Sequence, residues 1–285
     1  GDVYKRQLLN RLIEQKISIT SRKSQTTRNN ILGIKTKENH QMVFIDTPGV
    51  HINASKVMNK VLNQSALGAI EDADLIIFML QRNKINTLDE LILERLKGIK
   101  TKKLCVINKL DQVASKNSLL PVIEKLRSEY DFAEIIPVSA KTGKNINELE
   151  NMICQNLPEN NHLYDSDTKF LAKESFMISE IIREKIIRFL GEELPHETYV
   201  QLQKLEDKEN IINIDAEIIV ARESQKGIVV GKNGAKLKKI GEKARIDLEK
   251  FFNKKVFLKT WVKTKKNWNN DSDFISSLGI GSLYD

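Results

Sequence analysis

Residues Gln41–Gly49 read QMVFIDTPG. Met42-Val43-Phe44-Ile45 is an apolar run that stops at Asp46-Thr47-Pro48-Gly49, the pattern of a buried strand ending in a loop. A carboxylate at the tip of such a strand suits a phosphate–Mg2+ site. Asp46 can hold the metal through a water, and the unencumbered N–H of Gly49 can reach a terminal phosphate. The same four residues are also ordinary turn chemistry, so the decision rests on the rest of the chain.

Outward from this stretch, strand and helix alternate. Ile31–Lys37 reads as an edge strand beside Gln41–Ile45, and a helical stripe covers Ser55–Ala73. Asp74–Leu80 is a fully apolar strand, as a parallel sheet covered on both faces requires. A helix over Leu88–Gly98 precedes the strand Lys103–Ile107, which runs into Asn108-Lys109-Leu110-Asp111. Next come a helix over Leu119–Tyr130, a strand over Glu134–Val138 that runs into Ser139-Ala140-Lys141-Thr142-Gly143, and a helix over Ile146–Leu157. This order predicts a doubly wound α/β domain. Its polar motifs all lie at carboxyl ends of strands, where ligands bind in such folds.

NKLD and SAK have a joint explanation. Asp111 can accept from guanine N1–H and N2–H2 together, Asn108 can donate toward N7 or O6, the Lys109 stem can lie along the base, and the Ala140 N–H can reach O6. Adenine lacks the 2-amino group and presents the opposite pattern at position 6. It would leave Asp111 unpaired, a mismatch that discriminates by roughly 10⁴–10⁵. Ser18–Asn30 (SITSRKSQTTRNN) is a polar loop rich in hydroxyls, composition typical of a mobile segment. A Thr26 or Thr27 hydroxyl there can join a Mg2+ shell.

DTPG, NKLD and SAKTG in this order resemble the translation-factor-related GTPases, and the hydroxyl loop before the DTPG strand is similar to their Era branch. The resemblance implies GTP/GDP and Mg2+ as ligands, held by Asp46, Thr47, Pro48, Gly49, Asn108, Lys109, Asp111, Ser139, Ala140 and Lys141. It makes Thr27 (or Thr26) and Asp46 the metal ligands, with Thr27 and Gly49 the residues nearest the chemistry. Val50 stands where many GTPases carry a catalytic Gln, which implies another way of placing the attacking water and slow intrinsic turnover. One part is absent. The family carries G-x-x-x-x-G-K-[ST] ahead of its first helix, and this chain begins at Gly1 with GDVYKRQ before the apolar period starts at Leu8. The reading is of a P-loop domain without its first strand and phosphate loop, with Gly1–Gln7 a foreign leader and GTP binding by the chain as it stands poor. Gly227–Lys232 within GIVVGKNG has one residue too few between its glycines and no Ser/Thr after the Lys to replace that loop.

Composition sets outer bounds. The 285 residues suffice for two domains, 40% are hydrophobic, and no apolar window is long enough for a transmembrane helix. No amino-terminal pattern marks a signal peptide. Cys105 and Cys154 lie in apolar runs and read as reduced core thiols, and His40, His51, His162 and His196 as loop or surface residues. Net charge is +8, which permits a polyanionic partner.

Pro158–Thr168 is polar and aperiodic, the signature of a linker. A helix over Phe170–Leu190 with Gly191 and Pro195 as stop signals follows, then strands over Thr198–Leu205 and Ile211–Val220. A short helix over Glu223–Val230, the loop Gly231-Lys232-Asn233-Gly234, a helix over Ala235–Phe252 and a strand over Val256–Val262 complete this half. A GxxG turn lets backbone approach a sugar-phosphate chain, and Lys232, Lys236, Lys238, Lys239, Lys243 and Arg245 crowd round it with one sign of charge. The order α-β-β-α-GxxG-α-β resembles the type II KH RNA-binding domain. That resemblance implies RNA contacts at Gly231, Lys232, Asn233, Gly234, Lys236, Lys238 and Lys239, with about four bases in the groove. Trp261 reads as strand core, Trp268 as an exposed stacking candidate, and SSLGIGSLYD as a tail.

The expected domains are therefore 1–157 (GTPase), 158–168 (linker), 169–268 (KH) and 269–285 (tail). The combination resembles the Era layout over about Leu8–Gly279. It implies a GTP-regulated RNA-binding factor for small ribosomal subunit maturation. The implied partners are the 3′ end of 16S rRNA and the 30S subunit, and the implied state is a cytoplasmic monomer with peripheral inner-membrane association. Two other readings stay open: a GTPase of a neighbouring branch, which would lack GxxG in this context, and a KH-type RNA binder whose GTPase domain is non-functional.

Overall fold

The structure, a computed structural model, describes residues 2–14, 31–47, 56–81, 84–113, 115–171, 173–190, 197–278 and 280. In the first half, β1 (Ile31–Lys37) and β2 (His40–Asp46) form an antiparallel hairpin. β3 (Leu75–Gln81), β4 (Lys102–Asn108) and β5 (Glu134–Pro137) form a parallel sheet in that order. The continuous apolar sequence of β4 has a direct cause: every residue after Lys102 is buried. Leu104 and Val106 face a core shared with α1 (Asp2–Ile13) and α5 (Ile146–Asn156), through Leu8, Leu12, Leu149 and Ile153. Cys105 and Ile107 face the opposite core, with Leu93 and Leu96 of α3 (Thr87–Lys97) and Leu126 of α4 (Leu120–Glu129). Burial pushes the Cys105 thiol up to about 12, so it is an inert core residue, as its context predicts.

The β1–β2 hairpin and the β3–β4–β5 sheet share one side-chain core, as the α/β reading expects. Several features depart from the sequence reading. The unpatterned Asp2–Gln7 is helical and continues α1 backwards. Phe170–Leu171 is a strand, β6, not the start of a helix. It pairs with β1 at Leu32 and Gly33, so β1 is flanked on both edges. The linker is tied down. The Gln41 side chain of β2 donates to the Tyr164 carbonyl at 2.8 Å and accepts from the N–H groups of Leu163 and Tyr164 at 2.8 and 2.9 Å. The segment read as a tail contains regular structure, with a 3-10 turn at Trp268–Asn270 and a helix, α9, at Ser272–Ser277.

In the second half, α6 (Glu174–Phe189) and α8 (Ala235–Phe252) cover one face of a sheet of β7 (Thr198–Asp207), β8 (Ile211–Val220) and β9 (Lys255–Thr264). β7 runs antiparallel and β9 parallel to the central β8. Ile178, Ile182 and Ile186 of α6 meet Ile212, Ile214, Ile218 and the α8 residues Ile240, Ala244 and Leu248, the i, i+4 spacing of a helix stripe. Gly191 and Pro195, offered as stop signals, lie outside the described residues.

Trp268 is fully buried, the opposite of its expected role. Its indole donates to the Glu197 carbonyl at 3.1 Å and its ring packs on Tyr199 and Phe274. The polar flanks (KNWNND) suggest exposure because they say nothing of the tertiary partner. That partner is a seam between the halves, where Met58 and Leu62 of α2 (Val57–Glu71) meet Ile219, Trp268, Ile275, Leu278 and Ile280.

Candidate functional site

The NKLD turn begins where β4 ends, and its geometry is demanding. Lys109 takes a left-handed conformation (φ 69°, ψ 37°), uncommon for a residue with a side chain. The strain is held by neighbours. Asn108, only 2% exposed, accepts from the Lys109 N–H at 2.7 Å and from the Ala140 N–H at 3.0 Å, and the Leu110 N–H donates to the Val138 carbonyl at 2.9 Å. One buried amide oxygen thus ties the NKLD and SAK loops together. The sequence reading gave the Ala140 N–H to guanine O6. Here it donates to Asn108 Oδ1, which also accepts from the Lys109 N–H. Among the described residues the Asn108 amide nitrogen meets only the Met79 sulfur, at 3.7 Å, a weak acceptor.

Ser139 is fully buried and donates to Asp111 Oδ1 at 2.5 Å, while its hydroxyl accepts from the Thr142 N–H at 3.2 Å. This fixes the carboxylate direction and leaves the exposed side of Asp111 free to accept. The Lys109 ammonium donates to Gln81 Oε1 at 3.0 Å. Gln81 was missed in the sequence. The available signal was a polar residue closing an apolar strand, in register with Asn108.

α1 joins these loops to the DTPG strand. Its Arg11 donates to the carbonyls of Ala140 and Lys141 at 3.3 and 2.8 Å, the Lys5 ammonium donates to the Thr47 carbonyl at 2.7 Å, and the Tyr4 ring lies 3.4 Å from the Lys109 ammonium. Asp46, Thr47, Asn108, Lys109, Asp111, Ser139, Ala140 and Lys141 therefore border one side of the molecule. Asp46 is buried at the tip of β2. Thr27, Pro48 and Gly49 lie outside the described residues. Among the described residues no cluster of three His, Cys, Asp or Glu side chains is placed to hold a metal. A Mg2+ that completes its shell with phosphates and waters needs no such cluster, and one carboxylate at Asp46 fits it.

The second site is the GxxG loop between α7 (Glu223–Val230) and α8. Gly231 (φ 72°, ψ 178°) and Gly234 (φ 76°, ψ 2°) both take positive φ, but for different uses. A Cβ at Gly231 would stand 2.6 Å from the Lys236 Cβ, so this glycine lets α8 come close. At Gly234 nothing lies within 4 Å, which leaves backbone open to a ligand. Asn233 takes a positive φ as well. Lys232, Lys238 and Lys239 are exposed and Lys236 is half-buried, and none of Lys232, Lys236 or Lys238 is paired with a described carboxylate. Arg245 does not belong with them, since it is bound to Glu249 one turn on at 2.7 Å. Val229 is core, whereas Ile228 on the same helix is 45% exposed beside the loop, an apolar wall for bases. Trp261 is half-buried on β9, with its indole donating to Glu217 at 2.9 Å, so it is pinned and not free to stack.

Comparison with known proteins agrees with both halves. The family described as "50S ribosome-binding GTPase" matches residues 5–109, and the family described as "KH domain" matches residues 193–269. GTPase Era of Coxiella burnetii is 45% identical over 279 residues, covering 98% of this chain and 94% of its own. GTPase Era of Haemophilus influenzae is 44% identical, covering 98% and 92%. A crystal structure of an Aquifex aeolicus Era variant bound to GDP·AlF4− superposes with a TM-score of 0.93 at 34% identity, covering 98% of this chain and 95% of that one. Era in complex with MgGDPNP and nucleotides 1506–1542 of 16S ribosomal RNA matches equally well, at 0.93 and 34% with the same coverage.

Proposed function

The chain belongs to the Era family of GTPases, and from that premise we propose that it is a GTP-regulated RNA-binding factor. On this reading it acts on the 3′ end of 16S rRNA during 30S subunit maturation. The observation that carries it is the Asn108–Ala140 and Asp111–Ser139 network, a preset guanine frame on the same chain as an open GxxG loop flanked by unpaired lysines. Asp111 accepts N1–H and N2–H2, the Asn108 amide nitrogen donates toward N7, and the Lys109 stem covers the base. Asp46 would hold a Mg2+ ion, which when bound would supply charge neutralisation to the phosphates. Thr27, Pro48 and Gly49 complete the phosphate side by family resemblance. Gly234 admits the RNA backbone, Ile228 walls the bases, and Lys232, Lys236, Lys238 and Lys239 neutralise phosphates.

The division into residues 1–157, 158–168, 169–268 and a tail over 269–285 is proposed on the same basis, with Ile275, Leu278 and Ile280 of that tail in the seam. Action as a cytoplasmic monomer, with peripheral association at the inner membrane, follows from family resemblance. No described helix is long and apolar enough to cross a membrane.

The test has two arms. A single-stranded RNA with the sequence of nucleotides 1506–1542 of 16S rRNA should bind the chain, and Gly234→Asp should abolish that binding by placing an anion against the phosphates. Equal binding by the variant would sink the RNA assignment. Guanine nucleotide should bind strongly only to a chain extended by a G-x-x-x-x-G-K-[ST] segment ahead of α1, since that loop supplies most phosphate contacts.

A further inference from the structure

The helix that follows the DTPG sequence has an unusual start. α2 has no side-chain cap of its own and no acidic residue in its first turn. Its Val57 N–H instead donates to Asn270 Oδ1 at 3.3 Å, an acceptor from the far end of the chain. Asn270 is fixed there by the 3-10 turn whose Trp268 is buried in the seam.

A second contact runs in parallel. Lys56, the residue before α2, donates to Glu197 Oε1 at 2.9 Å. The other Glu197 oxygen accepts from Gln225 Nε2. Gln225 lies in the first turn of α7, where its Oε1 accepts from the N–H groups of Ala221 and Arg222, both at 2.9 Å. It is therefore the residue that closes the start of the helix whose other end is Gly231. The Trp268 indole donates to the Glu197 carbonyl, so one turn holds both contacts in register.

We propose that Glu197 and Asn270 form an interdomain latch that couples the start of α2 to the start of α7, so that RNA at the GxxG loop and the start of α2 in the first domain bias one another. α7 spans only Glu223–Val230, about two turns. A rigid element that short transmits a shift at Gly231 to Gln225. Both Glu197 oxygens are committed, one to each domain, so a displacement of Gln225 is felt by Lys56. By linkage, the factor by which bound RNA shifts the latch equilibrium is the factor by which closing the latch shifts RNA affinity. The inference rests on the RNA-binding reading above and names the residues that connect the two sites.

Amide hydrogen exchange on the full chain, with and without single-stranded RNA of the 1506–1542 sequence, tests it without requiring nucleotide. RNA should protect the Gly231–Gly234 loop and also change exchange over Val57–Lys60. In the double variant Glu197→Gln, Asn270→Ala, the loop protection should persist while the α2 response disappears. Basal exchange at Val57–Lys60 should rise about 2- to 30-fold, the range spanned by loss of a helix cap. Asn270→Asp keeps an acceptor at the cap and should retain the response, which covers the case in which the double variant does not fold. An unchanged α2 when the loop is protected in the parent chain, or a double variant that responds like the parent, overturns the latch. If RNA protects neither segment, the RNA-binding reading fails and the latch with it.

Discussion

At the scale of single residues, Ser139 has the most leverage for its size. Its hydroxyl donates to Asp111 and so aims that carboxylate. A hydrogen bond to a charged group contributes about 1.5–3 kcal/mol. Ser139→Ala in the extended chain should therefore weaken GDP affinity roughly 10- to 100-fold while leaving the far weaker ATP binding alone, as titration calorimetry would read. A uniform loss for both nucleotides would mean that Ser139 supports the loop and not the base contact. The two glycines of the RNA loop make a second pair. Both pay a positive-φ penalty on substitution, about 1–3 kcal/mol, but only Gly231 sits at an extended ψ of 178° and also meets a neighbour at 2.6 Å. Thermal unfolding should show Gly231→Ala clearly less stable than Gly234→Ala; equal losses would contradict the close approach of α8.

At the scale of elements, the carboxyl-terminal segment acts as a wedge. Trp268, Ile275, Leu278 and Ile280 fill a seam whose other wall is α2. Truncating a buried Trp typically costs about 3–5 kcal/mol. Trp268→Ala should lower the melting temperature and open the carboxyl terminus to limited proteolysis, and a protease-resistant variant would show that the seam does not depend on it.

This is also where sequence and structure part company. β4 was legible because burial on both faces leaves an unbroken apolar run. α7, α8 and the GxxG loop were legible because glycine and helical period coincide there. Asn108, Asp111, Ser139 and Ala140 were legible as neighbours because NKLD and SAK follow two apolar runs that pair as adjacent parallel strands. Phe170–Leu171 was not, because two residues carry no period and their partner, β1, lies more than a hundred residues upstream. Trp268 was misread for a related reason. Its burial is made by α2, Tyr199 and Phe274, and local polarity does not report a distant surface. Gln81 and the Glu197 fork are single polar side chains whose roles exist only once the strands and domains are placed.

At the scale of the whole molecule, the seam carries a pH signature. Burial pushes the Glu197 carboxyl up, but hydrogen bonds from Lys56 and Gln225, with the charges of Lys56 and Arg222, outweigh it and hold the group below its ordinary 4.5. A carboxylate whose folded-state value is depressed stabilises fully above the unfolded value and loses that contribution as pH falls through the folded one. Thermal unfolding should thus find Glu197→Gln less stable than the parent at neutral pH, with the gap closing well below 4.5. A gap that persists in acid would assign the loss to packing instead of charge.

The central claim is that the first domain is built to select guanine and the second to hold RNA, on one chain. The most direct test is equilibrium binding of a fluorescent GTP analogue with Mg2+ to the chain extended ahead of α1, competed with GTP, ATP and XTP. GTP should compete and ATP should fail by roughly 10⁴-fold or more. Asp111→Asn, which exchanges an acceptor for a donor opposite position 2 of the base, should move the preference to XTP. Equal competition by GTP and ATP, or no binding by the extended chain, would contradict the account and leave the first domain as a scaffold for an RNA-binding protein.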